Sequence, residues 1–195
     1  MPIDPDLAIL ITEIDANLSH LESLTHGLTN EQFGWRPGEA QWSMGECIAH
    51  LNIANGRDLR LIEETISRAK ARGVKGEGPF TYGLLSRKFV ASQEAGNPKK
   101  FKAPKSFQPA AANDLDQTIA EYRRVASELQ RLMREANGLH LAKVKMPLTA
   151  LPAAVRWIMK MPLGARFALI AAHDRRHLYQ AEEVRNHANF PVVAS

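Results

Sequence analysis

Apolar residues recur at three- and four-residue steps in four long stretches, the spacing that gives a helix one buried face. The first predicts a helix over Asp6 to Leu28, with Leu7, Leu10, Ile11, Ile14, Leu18, Leu21 and Leu24 inward and Gly27 at its end. Thr29 then offers a cap to a short turn, Asn30-Glu31-Gln32-Phe33. The second opens on Ser43-Met44-Gly45-Glu46, a capping box, and carries Met44, Cys47, Ile48, Leu51, Ala54, Leu59, Ile62 and Ile66 before stopping near Arg72-Gly73. The third runs from about Asp114 to Asn137, and the fourth from about Leu163 to His187 behind Pro162. In the fourth, Phe167, Ile170, Ala181 and Val184 mark the inner face.

The connections are unequal. Residues 29–42 form a short loop, and residues 73–112 a long one rich in Gly, Pro and Lys, with a short helix expected around Tyr82 to Gln93. In the link over 138–162, Val144 to Leu148 can be extended and Ala153 to Lys160 can form a helical turn or two. Almost no strand pattern appears, so the expected fold is all-α, a four-helix bundle forming one domain over 1–195. The long second connection can leave helices two and three parallel.

Composition narrows the class. Apolar residues are 45% and charged residues 24%, values of an ordinary globular domain rather than a disordered chain. No apolar run is long enough to span a bilayer, and no secretory signal pattern opens the chain. The expected compartment is the cytoplasm, with no membrane partner. The single cysteine, Cys47, excludes internal disulfides and multi-cysteine zinc sites. The formal charge of +4 is concentrated over residues 71–105, where Arg72, Lys75, Arg87, Lys88, Lys99, Lys100, Lys102 and Lys105 face only Glu77 and Glu94. No nucleic-acid-binding motif accompanies them. A solvated, lysine-rich connection is the expected reading, and a nucleic-acid partner is not expected.

The histidines change the picture. At 100° per residue, with Phe167 at 0°, the apolar face of the fourth helix centres near about 290°, His173 falls at about 240° and His177 at about 280°. Both imidazoles therefore face the interior, one turn apart. Burying two unpartnered imidazoles costs roughly 1–3 kcal/mol for each unpaired polar group. A shared metal ion removes that cost, because histidines at i and i+4 can converge on one cation. His50, on the flank of the second helix's inner face, is the best third ligand. Three imidazoles suit one divalent transition ion, zinc or nickel first, then iron or manganese, and leave one coordination position open. His20, His26, His140 and His187 read as surface or loop residues.

His173-Asp174-Arg175-Arg176-His177 has the outline of the H-E-x-x-H helix of zinc proteases, but Asp174 stands where the glutamate base belongs and the downstream ligand pattern is missing. Asp174 and Gln180 can each supply a hydrogen bond that fixes an imidazole tautomer. Arg166 either packs its stem at the bundle end with its charge in water or holds a substrate carboxylate. Cys47 reads as a small buried hydrophobe, with a reactive thiol or fourth ligand as the alternative. Trp35 and Trp42 are expected to cover the bundle mouth.

Two patches resemble the DinB/YfiT-like superfamily of candidate metalloenzymes. One is Leu28-Thr29-x-Glu31-x-x-x-Trp35-Arg36-Pro37, followed by Gln41-Trp42-Ser43-Met44-Gly45-Glu46 and Ala49-His50-Leu51; the other is His173-Asp174-x-x-His177-x-x-Gln180. The resemblance implies an up-down-down-up bundle, a metal site on His50, His173 and His177, and homodimers. It also implies transferase or isomerase chemistry on a small molecule with a low-molecular-weight thiol in some members. Water activated for hydrolysis is an equal use of an open metal position. The alternative is a non-catalytic, metal-stabilised dimeric binding or stress-response protein. The connection at 73–112 is longer than the family's simpler ones, so no substrate contact carries over to it.

Overall fold

The computed structural model describes residues 2–97, 103–109, 111–148 and 160–192. Its elements follow the apolar pattern: α1 (Pro5–Thr25), α2 (Asn30–Gly34), α3 (Met44–Ala71), α4 (Leu84–Ser92), a 3-10 turn (Lys105–Phe107), α5 (Leu115–Glu135), strands β1 (Lys145–Pro147) and β2 (Lys160–Pro162), and α6 (Leu163–Arg185). The protein is mostly helical, as expected.

Two helix starts are set by caps read in the sequence. Ser43 accepts from the Glu46 amide, and Glu46 reaches back to the Ser43 amide at 2.9 Å. Thr29 and Gln32 make the same reciprocal pair at α2. Asp4 caps α1, ahead of Pro5 at the first helical position. After α1, α3 and α5 the chain turns on Gly27, Gly73 and Gly138, with φ of 74°, 63° and 81°, a region closed to most side chains.

Among the described residues, α3 packs against α5 and α6, and α1 packs against α6 and α5. Leu7, Ile14 and Leu21 of α1 meet Ile48, Leu51, Ile62 and Ile66 of α3, Tyr122, Leu129 and Leu132 of α5, and Phe167, Ala171 and Leu178 of α6 in one continuous core. The small departure from all-α is an antiparallel pair that joins β1 to β2, with Met146 opposite Met161. The extended stretch expected at Val144 to Leu148 is β1. Of the turn expected at Ala153 to Lys160, residues 153–159 lie outside the described residues, and Lys160 opens β2 rather than ending a helix. The pair delivers the chain into α6: the Leu163 amide donates to the Val144 carbonyl at 2.8 Å. The short helix expected at Tyr82 to Gln93 is α4, which lies on α6.

Candidate metal centre

A polar seam runs along the α3–α6 contact through an otherwise apolar core. His50 meets His173 and His177, Asn55 meets Asp174, and Asp58 meets Arg166. Numbers climb along α3 as they fall along α6, so the two helices run antiparallel here. The periodicity put His173 and His177 on the inner face of their helix and His50 on the flank of its own, and the structure brings all three together.

His50 and His177 are 5% and 9% exposed. His173 Nε2 lies 3.4 Å from His50 Nε2 and 3.2 Å from His177 Nε2. One ligand nitrogen from each ring falls within 4.8 Å of the others. The other nitrogens explain this orientation. His50 Nδ1–H donates to the Phe107 carbonyl at 2.7 Å, and His177 Nδ1–H donates to Gln180 Oε1 at 3.1 Å. A carbonyl oxygen only accepts, so both rings carry their proton on Nδ1 and aim the Nε2 lone pair inward. A single Nε2–H on His173 can satisfy only one of those lone pairs. A cation satisfies all three. Nitrogens about 2.0–2.1 Å from a tetrahedral metal sit roughly 3.3 Å apart, close to the spacing from His173 to each of the other two rings. The three histidines could hold a metal ion.

The surroundings keep the rings neutral. Burial pushes His173 well below its ordinary range, helped by His177, His50 and the positive charges of Arg166 and Arg176. Burial and His50 bring His177 down to about 3, and burial lowers His50 against the opposing pull of the Phe107 carbonyl. Neutral imidazole is the form that ligates metal. Trp42 lies against the site, stacked on His177 at 5.9 Å between ring centroids and tilted over His50 at 5.0 Å. It thus packs on two of the three rings. Trp35 instead packs on His187 and Phe190. Arg36 ties the same loop to α3 through a two-pronged ion pair with buried Glu46.

Two expectations need correction. Asp174 turns away from the imidazoles: its Oδ1 accepts from Asn55 Nδ2 and its Oδ2 from the Tyr122 hydroxyl, both at 2.8 Å. It is one residue after His173, hence about 100° around the helix, and faces α3 and α5. It fixes no imidazole tautomer and stands in no position for a protease-type base. Gln180 does fix one. Arg166 neither reaches water nor waits for a substrate; it is 7% exposed and pairs with Asp58, which is 1% exposed. Asp58 and Asn55 were missed because a lone acid and a lone amide on an inner face carry no motif. Their alignment with Arg166 and Asp174 appears only once the two helices are set antiparallel.

Cys47 is fully buried, and burial pushes its thiol up, as suits an inert apolar residue. Arg175 bridges Glu13 and Glu94, and Arg176 donates to the Ser92 carbonyl. These two residues between the histidines therefore clamp α6 to α1 and to the end of α4. Of the remaining histidines, His20 pairs with Glu182 at the surface, and His140 lies in a loop against Phe80.

The chain matches the DinB superfamily over residues 13–181, a span that includes all three histidines. Comparison with curated proteins and with solved structures finds no match. Among the described residues, no helix is long and apolar enough to cross a membrane.

Proposed function

Because the chain belongs to the DinB superfamily, we propose that it is a single-domain, up-down-down-up four-helix bundle that holds one divalent transition ion on His50, His173 and His177. The observation that carries this reading is the convergence of three Nε2 atoms at 3.2 and 3.4 Å, two of them with their protons tied up on the far side of the ring. Among the described residues no Cys, Asp or Glu joins the cluster. A three-histidine set leaves a coordination position open for a small molecule, as catalytic zinc sites do.

The proposed activity is metal-dependent chemistry on a small molecule, either transfer with a low-molecular-weight thiol or hydrolysis. A bound transition ion would supply Lewis acidity and lower the pKa of a thiol or water. His50, His173 and His177 hold it, Gln180 and the Phe107 carbonyl orient two of the rings, and Trp42 shields the site from bulk water. Arg166 and Asp58 keep α3 and α6 in register beneath it. The proposed setting is a cytoplasmic homodimer. Zinc-loaded and nickel-loaded protein should be screened with thiols against electrophilic small molecules and with hydrolysable esters and amides. Turnover that disappears on chelation and in His50→Ala is the expected result. Turnover indifferent to both would place the chemistry elsewhere.

A further inference from the structure

The long second connection returns to the bundle at the 3-10 turn Lys105–Phe107, and there it touches the histidine cluster. The Phe107 side chain is 6% exposed, and the Arg57 guanidinium of α3 lies 4.6 Å from the centre of its ring. The turn is closed by its own hydrogen bonds, Phe107 N–H to the Pro104 carbonyl at 2.8 Å and Gln108 N–H to the Lys105 carbonyl at 3.2 Å. So held, it presents the Phe107 carbonyl to His50 Nδ1 at 2.7 Å. His177 takes its orientation from Gln180, three residues on in the same helix. His50 takes its own from a segment 57 residues away.

We infer that the Lys105–Phe107 turn is a positioning device that sets the tautomer and ring orientation of His50, and so controls how long the site retains its metal. The inference rests on the metal reading above. The physical reasons are direct. Free neutral histidine can carry its proton on either nitrogen, and only the Nδ1–H form both satisfies the Phe107 carbonyl and frees Nε2. With the turn lifted, His50 can take either tautomer and rotate, so metal binding must then bear the cost of ordering it. Loss of such an outer hydrogen bond on a ligating histidine weakens metal affinity by about 10–100-fold. Coupling is reciprocal: if the seated turn tightens metal binding, the metal must hold the turn down by the same factor.

The test uses the full chain, zinc(II) as probe, and two variants. Phe107→Ala empties the seat of the turn, and Arg57→Ala removes only an exposed cation from its ring. Nitrogen NMR of metal-free wild type should show His50 as the Nδ1–H tautomer, and both variants should shift it toward a mixture. Zinc release to a chromophoric chelator should quicken about tenfold or more in Phe107→Ala, with a smaller change in Arg57→Ala and none in Lys88→Ala on α4. Zinc should also slow amide exchange at Phe107 and Gln108 in the wild type. Release within twofold of wild type in both turn variants, or exchange at Phe107 and Gln108 indifferent to zinc, would overturn the inference. A wild type that takes up no zinc would sink the metal reading instead. The His50 tautomer in that metal-free chain would still decide whether the turn positions the ring.

Discussion

The Tyr122 hydroxyl donates to Asp174 Oδ2 at 2.8 Å, across from α5 to α6, and so holds a fully buried carboxylate one residue away from a histidine of the cluster. Burial raises Asp174 to about 6, and the bonds from Asn55 and Tyr122 oppose that rise. Tyr122→Phe should therefore cost about 1–3 kcal/mol of stability, the penalty for leaving a buried acceptor short of a donor. The sign with pH follows. A carboxyl raised above its unfolded value of 3.8 contributes stability below about pH 4 that is lost as pH rises through 6. Removing the Tyr122 donor pushes Asp174 further up, so the loss in Tyr122→Phe should be larger at pH 8 than at pH 5. Urea titrations of the metal-free variant at both pH values check this; a loss equal at both would contradict it.

Asp58 and Arg166 form the other charged contact of the seam, and both are buried. Asp58→Ala leaves the guanidinium without this partner in the core and should destabilise the fold by about 3–5 kcal/mol. The double variant Asp58→Leu/Arg166→Met removes both charges and should recover most of that loss. Equilibrium unfolding of the three chains gives the answer. A double variant as unstable as Asp58→Ala would mean that the pair is needed for more than mutual neutralisation.

Two glycines of α3 should respond to the same substitution with opposite signs. Helix propensity alone favours alanine over glycine by about 0.8–1.0 kcal/mol. At Gly56 a Cβ would meet nothing within 4 Å, so Gly56→Ala should stabilise by roughly that amount. At Gly45 a Cβ would lie 2.1 Å from the Ala112 carbonyl oxygen and 2.9 Å from the Phe33 ring. Gly45→Ala should thus destabilise by about 1–3 kcal/mol despite its propensity, because the backbone ahead of α5 must move. Thermal melts of the two variants suffice.

The four long helices were legible because their apolar residues keep one period over 21 to 28 residues and their caps are local in sequence. His173 and His177 were legible for the same reason, since a face is computed from spacing alone. His50 required two facts that spacing does not hold: which helix α6 faces, and what orients the ring. Asp174 shows the limit from the other side. It is adjacent to a ligand candidate in sequence, yet the helix turns it toward Asn55 and Tyr122. Arg166 read as a residue at the bundle end because its partner, Asp58, lies 108 residues away. Long-range pairing of single polar residues leaves no periodic trace.

Acid should act on the cluster in a defined direction. The imidazoles of His50, His173 and His177 are held below their ordinary value of 6.5, first by burial. The unfolded chain therefore takes up protons below about pH 6.5 that the folded, metal-free chain refuses, and the fold loses stability as pH falls through that range. Protons should compete less for the folded site than for exposed imidazoles, so zinc affinity should begin to fall only at a pH below the 6.5 at which exposed imidazoles lose ligands. Competition titrations across that range decide between the two; a steep fall beginning at pH 6.5 would mean that the rings are solvated.

Metal content of the purified native chain bears most directly on the three-histidine site. Elemental analysis should find about one transition ion per wild-type chain, and the double variant His173→Ala/His177→Ala should retain almost none while keeping its helical circular dichroism. Full metal content in a folded double variant would show that the ion is held somewhere other than His50, His173 and His177.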